Sequence, residues 1–214
     1  MKDIILYGAS GFGKEVLWLI DENNKVKQEW NILGFVDNNP ELQGKKVSNY
    51  PVLGDENWLL EYSEPVFVTC CIGNTRIRKK VVDNLRENPN VSFPNLIANN
   101  VVYSDSVEFG EGIIICSSNI LTVDIEVGDF VHINLASTVG HDAIIEEFVT
   151  IYPGVNVSGN VKVASGAELG TGSKVIQGVH IGENTIVGSG AVVVKHLPKN
   201  CTAVGAPAKP IKFH

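Results

Sequence analysis

Cysteine, methionine and aromatic residues are all scarce in this chain of 214 residues, which has four Cys, one Met and 7% Phe, Trp and Tyr. The cysteines (Cys70, Cys71, Cys116 and Cys201) show no CxxC spacing, so neither a metal site nor a disulfide framework is expected. Adjacent Cys70 and Cys71 would face opposite sides of a strand. Reduced thiols in a cytoplasmic protein are the expectation. Basic residues are in deficit, with 17 Lys and Arg against 24 Asp and Glu and a net charge of −7. That balance argues against nucleic acid and anionic membrane surfaces as main partners. No apolar run approaches the length of a membrane span, so no membrane insertion is expected. The N-terminus opens with Lys2 and Asp3 before a run too short for a signal peptide.

What the chain does have is a period. From Leu121 to Val193 an aliphatic residue stands at every sixth position: Leu121, Val127, Ile133, Val139, and so on without a miss. Four positions after each comes a second, mostly small or β-branched residue, such as Ile125, Val131, Ser137 and Ala143. A fixed period of this length is a repeat signature. Six fits neither a helix at 3.6 nor a strand at 2.0 unless a turn falls inside each unit. Two inward positions per unit, one large and one small, describe a short strand followed by a corner. Upstream, Val101, Val107 and Ile113 keep the step but sit two residues out of phase, which reads as a short insertion or irregular coil between Ile113 and Leu121. Gly128, Gly140, Gly170, Gly182 and Gly188 are read as easing the corners.

The first half of the chain follows another logic. An apolar strand, DIILY, runs into Gly8-Ala9-Ser10-Gly11-Phe12-Gly13 and then a helical stretch, KEVLWLIDENN. The strand ILGFVD follows and ends at Asp37, and PVFVTCCIG later leads into a helix from about Arg76. Strands alternating with helices indicate a small parallel sheet of the βαβ type. Pro89 and Pro94 mark the link to the repeats. A small-residue loop at a helix N-terminus lets backbone N–H groups approach a phosphate, and Asp37 is placed to accept from a ribose. The spacing is GxxGxG rather than the dinucleotide fingerprint GxGxxG, which disfavours an oxidoreductase. A ligand-free tight turn is the plain alternative.

Within the repeats, the candidate chemistry is Gly140-His141-Asp142. A neutral imidazole takes up a proton near neutral pH, and an adjacent carboxylate fixes its tautomer. An isolated histidine here would read as a solvated surface residue. Counting one coil onward, however, places Gly159 on the column of His141, followed by Gln177 and Lys195. A missing side chain beside a candidate base leaves a groove for a long, thin ligand.

The double pattern is that of the hexapeptide-repeat, left-handed parallel β-helix. In that fold three hexads close a triangular coil and coils stack about 4.8 Å apart. The segment HINLASTVGHDAIIEEFVTIYPGVNVSGNVKV resembles the sugar acetyltransferases of this superfamily, in particular the nucleotide-amino-sugar N-acetyltransferases and sialic-acid O-acetyltransferases of bacteria. The similarity extends to GASGFGKE, FVDNN, CIGNTRIRKK and the closing VGAPAKPIK. It implies an α/β, Rossmann-like unit over 1–95 that binds a nucleotide sugar. Over 96–214 it implies a left-handed β-helix acyltransferase domain with a C-terminal tail. It also implies a homotrimer with acetyl-CoA as cosubstrate, no required metal, and a role in surface glycan synthesis.

Carried over position by position, the resemblance makes His141 the base and Asp142 its acidic neighbour, where many relatives have Glu. Asn134, in the preceding hexad, falls where relatives contact the sugar or the thioester region. Gly159, Thr171, Ser189 and Lys209 fall at CoA-contacting positions. Gly8, Ser10, Gly11 and Asp37 fall where relatives hold the nucleotide sugar. Phe12 departs from the pattern, because several N-acetyltransferases have histidine there; it either stacks on the ligand or packs the loop. The expected reaction is N-acetylation of a nucleotide-linked amino sugar. Acetylation of a sugar hydroxyl, or a scaffold without catalysis, stand as alternatives.

Overall fold

The structure, a computed structural model, describes every residue from Met1 to His214. It comprises two compact units, Met1–Asn99 and Asn100–His214.

In the first unit the chain runs β1 (Lys2–Tyr7), α1 (Gly11–Val26), β2 (Trp30–Val36), β3 (Lys46–Val47), β4 (Tyr50–Gly54), α2 (Glu56–Leu60), β5 (Val66–Cys70), α3 (Thr75–Leu85) and β6 (Val91–Ser92). The sheet order is β3-β4-β2-β1-β5-β6. Strand β1 lies between β2 and β5, parallel to both, and Ile4, Ile5 and Leu6 on it are fully buried. A strand buried on both faces reads as a continuous apolar run, which is why DIILY and PVFVTCC are recognisable. The stretch between Asp37 and Pro65 is polar, and its β3–β4 hairpin and α2 carry no comparable signal. Caps set the later helices: Asp55 accepts from the Trp58 amide at 3.0 Å, and Asn74 accepts from the Ile77 amide at 3.0 Å. At the N-cap of α1, the Ser10 side chain makes no capping hydrogen bond. Gly13 is required by close packing, since a Cβ there would overlap the Gly8 carbonyl.

The second unit is a left-handed parallel β-helix. Two-residue strands recur every six residues from Val102–Tyr103 to Val192–Val193 and form three parallel sheets. Their register shifts by one coil at each step, as in Ile120 with Thr138, Glu126 with Ile144 and His132 with Thr150. Both inward sets are buried, the large one at Leu121, Ile133 and Leu169 and the small one at Val131, Ala143 and Ala167. Polar members of the small set bond internally. Asn119 Nδ2 donates to the Cys116 carbonyl at 2.6 Å, its Oδ1 accepts from the Ser137 amide at 2.8 Å, and Ser137 Oγ donates to the Tyr152 carbonyl at 3.1 Å. The last coil adds Cys201–Val204 in parallel to Ile186–Val187, then reverses into the antiparallel strand Lys209–Phe213.

Two expectations are corrected here. No insertion separates Ile113 from Leu121: the strands Glu108–Phe109, Ile114–Ile115 and Ile120–Leu121 keep the step of six. Val107 and Ile113 belong to the small inward set, and both are buried. The large positions of the first coils are Tyr103 and Phe109, aromatic residues that an aliphatic pattern passes over. Nor do the five glycines supply the left-handed residue of the corners they sit in. The left-handed residue of each hexad is a different one, running from Gly112 through Asp124, Asp142 and Asn160 to Gly190. Gly128, Gly140, Gly170 and Gly182 are needed instead for close approach of the next coil. A Cβ on Gly140, for instance, would lie 2.6 Å from the Gly159 amide nitrogen.

Candidate functional site

Strand Thr138–Val139 ends at a corner made by Gly140, His141 and Asp142, after which the chain enters Ile144–Ile145. Asp142 takes the left-handed conformation, with φ of 56°, which Asp and Asn accept more readily than other side chains. Its carboxylate therefore lies beside the His141 ring, with Oδ2 2.7 Å from Nδ1. An ionised carboxylate only accepts, so this contact puts the imidazole proton on Nδ1 and leaves the Nε2 lone pair to take up another. Both side chains are about half exposed, at 49% and 55%.

The ring packs on Gly159. A Cβ at that position would come within 2.8 Å of three ring atoms, Nε2, Cε1 and Cδ2. The missing side chain thus makes room for the imidazole itself, whereas the sequence had pointed to a gap for a ligand. The Asn160 amide also donates to the His141 carbonyl at 2.8 Å, tying this corner to the next coil.

The remaining predicted positions on the β-helix are more dispersed. Asn134 is only 7% exposed, and its Nδ2 donates to the Ile151 carbonyl at 3.4 Å rather than to the histidine pair. Thr171 and Ser189 are exposed and one coil apart, the Gly190 amide donating to the Thr171 carbonyl at 2.8 Å. Lys209 is exposed at the start of the final strand. Ile176 and Val194 escaped the sequence reading. They are exposed, sit one coil apart, and directly precede Gln177 and Lys195 on the column of His141. The same count along the repeat would have found them. A depression of about 500 Å³ on a neighbouring sheet, among Glu108, Glu126 and Glu147, includes neither His141 nor Gly159.

In the first unit, Gly8, Ser10 and Asp37 line a cavity of about 300 Å³ at the carboxyl ends of β1, β2 and β5. Ligands in open α/β sheets bind at such strand ends. Asp37 already holds the loop together: Oδ2 accepts from the Ala9 amide and Oδ1 from the Asn39 amide, each at 2.8 Å. Gly11 is exposed with open space around it, and Phe12 is half-buried on the first turn of α1, outside the cavity lining. The cavity wall also includes Tyr7, which donates to Glu56 Oε2 at 2.5 Å. Burial, then this hydrogen bond and the charge of Glu56, push the phenol far above its ordinary value and keep it neutral. Glu56 also accepts from Asn84 Nδ2 at 2.8 Å, and its amide donates to Asn38 Oδ1 at 2.8 Å. Sequence reasoning missed this hub because its members lie far apart in the chain.

The family model for the PglD N-terminal domain matches residues 3–85. A GDP-perosamine N-acetyltransferase of Escherichia coli O157:H7 is 33% identical over 220 aligned positions, covering 97% of this chain and 95% of that protein. The chain belongs to this family of sugar acetyltransferases. The fold agrees with those of solved members. A mutant perosamine N-acetyltransferase from Caulobacter crescentus, in complex with CoA and GDP-perosamine, superposes with a TM-score of 0.90 at 30% identity, over 99% of this chain and 98% of that one. The acetyltransferase domain of PglB from Neisseria gonorrhoeae, in complex with acetyl coenzyme A, gives 0.88 at 30% identity, over 98% and 99%. In this acetyltransferase no three His, Cys, Asp or Glu side chains gather as a metal ion would need. No helix is long and apolar enough to cross a membrane.

Proposed function

We propose that this protein transfers an acetyl group from acetyl-CoA to the amine of a nucleotide-linked amino sugar, with His141 as the base. The observation that carries the reading is the His141–Asp142 pair seated on Gly159 in a chain alike over nearly its whole length to a GDP-perosamine N-acetyltransferase. As the amine nitrogen attacks the acetyl carbonyl, the N–C bond forms and His141 Nε2 takes the proton. The C–S bond then breaks and CoA leaves as the thiolate, which recovers that proton. Asp142 holds the ring and stabilises the imidazolium. Positioning of the two substrates supplies much of the acceleration, and the chemistry calls for no metal.

The exposed pair Ile176 and Val194 gives the pantetheine arm an apolar track beside the base column, and the exposed Thr171, Ser189 and Lys209 serve as further partners for CoA. The first unit's cavity takes the nucleotide, with Gly8 and Ser10 in its lining. Three copies would assemble side by side. Val102, Ile120 and Val123 are large apolar residues left exposed on the β-helix, and burying them favours association. We place the protein in the cytoplasm, where its four free and buried cysteines would stay reduced.

The test is mass spectrometry of the nucleotide sugar after incubation with acetyl-CoA. The reading expects one acetyl group added to the nitrogen of GDP-perosamine or a related nucleotide amino sugar. Acetylation only of acceptors that carry hydroxyls and no amine would replace it with O-acetyl transfer. No transfer to any acceptor, with no acetyl-CoA binding at millimolar ligand, would leave a scaffold.

A further inference from the structure

Arg78 lies in α3 between Ile77 and Lys79, in a stretch that reads as a charged helix face, yet it is 0% exposed. A buried guanidinium is costly unless its donors are satisfied. Arg78 NH1 donates to two successive main-chain carbonyls, those of Ile72 at 2.8 Å and Gly73 at 3.2 Å. Both residues line the cavity that Gly8, Ser10 and Asp37 also line. The peptide bonds here are trans, so each C=O points opposite to the N–H that follows it. Drawing these carbonyls toward α3 turns the N–H groups of Gly73 and Asn74 the other way. Ile77 and Val81, from the same helix, supply an apolar wall next to these groups. Two neighbouring amide donors beside an apolar wall fit a flat ring bearing oxygen acceptors, or the phosphates attached to it.

We infer that Arg78 is a positioning residue of the nucleotide pocket, turning the Gly73 and Asn74 amides toward an oxygen acceptor of the nucleotide. This rests on the reading that the cavity takes the nucleotide of the substrate. The acceptor is either a keto oxygen of the base or a phosphate oxygen. Arg78 itself touches no substrate and acts through the loop.

Two measurements test it. Amide hydrogen exchange of the wild-type protein, followed on the peptide containing Ile72 to Thr75, is compared with and without GDP, guanosine and inorganic pyrophosphate. Slowed exchange with GDP is expected; protection by guanosine assigns the keto oxygen, and protection by pyrophosphate assigns the phosphate. In parallel, Arg78→Lys should raise KM for the nucleotide sugar about tenfold, roughly the loss of one good hydrogen bond. Its kcat should stay within about twofold and KM for acetyl-CoA should be unchanged, the pattern of lost ground-state binding. A merely structural arginine would lower thermal stability and leave KM of the folded fraction where it was, which overturns the inference. If the variant does not fold, exchange in the wild type decides alone. GDP that binds without protecting this loop defeats the inference and leaves the proposed function standing. Failure of every nucleoside diphosphate to bind defeats both.

Discussion

Gly159→Ala separates a catalytic role for the His141 corner from a structural one. The added methyl would meet His141 ring atoms at 2.4 to 2.8 Å, so the imidazole must retreat roughly 1 Å to reach ordinary contact. Only the far end of a side chain is in the way, and Gly159 does not hold a left-handed backbone, so alanine fits the main chain without strain. Displacing the ring costs about 0.5–1.5 kcal/mol in rotamer strain. Losing the half-exposed contact with Asp142 costs a further 0.2–1 kcal/mol or so. The reduced freedom of the unfolded chain returns about 0.4–1 kcal/mol. The net is a loss of about 1 kcal/mol, a shift of roughly 2–4 °C in Tm for a chain of this size. The rate should suffer far more, because a misplacement of about 1 Å costs on the order of a hundredfold. Thiol release from acetyl-CoA at saturating substrates reads kcat, and the protein's own thiols, all buried, add little background. In a His141→Ala background the same substitution should have almost no further effect, since the two act as a unit. Wild-type kcat in Gly159→Ala, or a second full loss in the double variant, would refute the reasoning.

Other substitutions read separate parts of the structure. Asp142→Asn keeps a residue suited to the left-handed corner but removes the charge; Tm should hold, and kcat should fall by no more than about fivefold, the worth of a half-exposed ion pair. A collapse in Tm would show that the carboxylate is structural. Gly170→Ala, unlike Gly159→Ala, places its methyl against main-chain atoms of Val187, Gly188 and Ser189. It should destabilise by about 1–3 kcal/mol, seen in denaturant unfolding, with kcat of the folded fraction preserved. Tyr7→Phe removes the donor to Glu56 and should cost about 1.5–3 kcal/mol, the range for a hydrogen bond to a charged group. An unchanged unfolding midpoint would mean that Asn84 and Asn38 satisfy Glu56 on their own.

The β-helix was legible because its inward positions alternate large and small at a constant step, a constraint that every coil repeats. It blurred where chemistry changed and geometry did not, as when Tyr103 and Phe109 took the large positions and Asn119 a small one. The corners were harder to read, since Phe130, Ala136 and Phe148 adopt the left-handed conformation that Asp, Asn and Gly announce elsewhere. Counting coils was enough to bring Gly159 to His141, because stacking converts sequence distance directly into contact. No such ruler exists in the first unit. Tyr7, Asn38, Glu56 and Asn84 meet only through the sheet order, and Arg78 carries the outward mark of a surface charge while lying fully buried. Asp37 was found, but its bonds to the Ala9 and Asn39 amides depend on loop conformation that strand and helix patterns do not encode.

Thiol release from acetyl-CoA with GDP-perosamine as acceptor, compared between the wild type and His141→Ala, bears most directly on the proposed chemistry. The wild type should release CoA only when both substrates are present, and His141→Ala should be slower by at least about a hundredfold, the lower range for a general base. A rate within about twofold of wild type would remove His141 from the reaction.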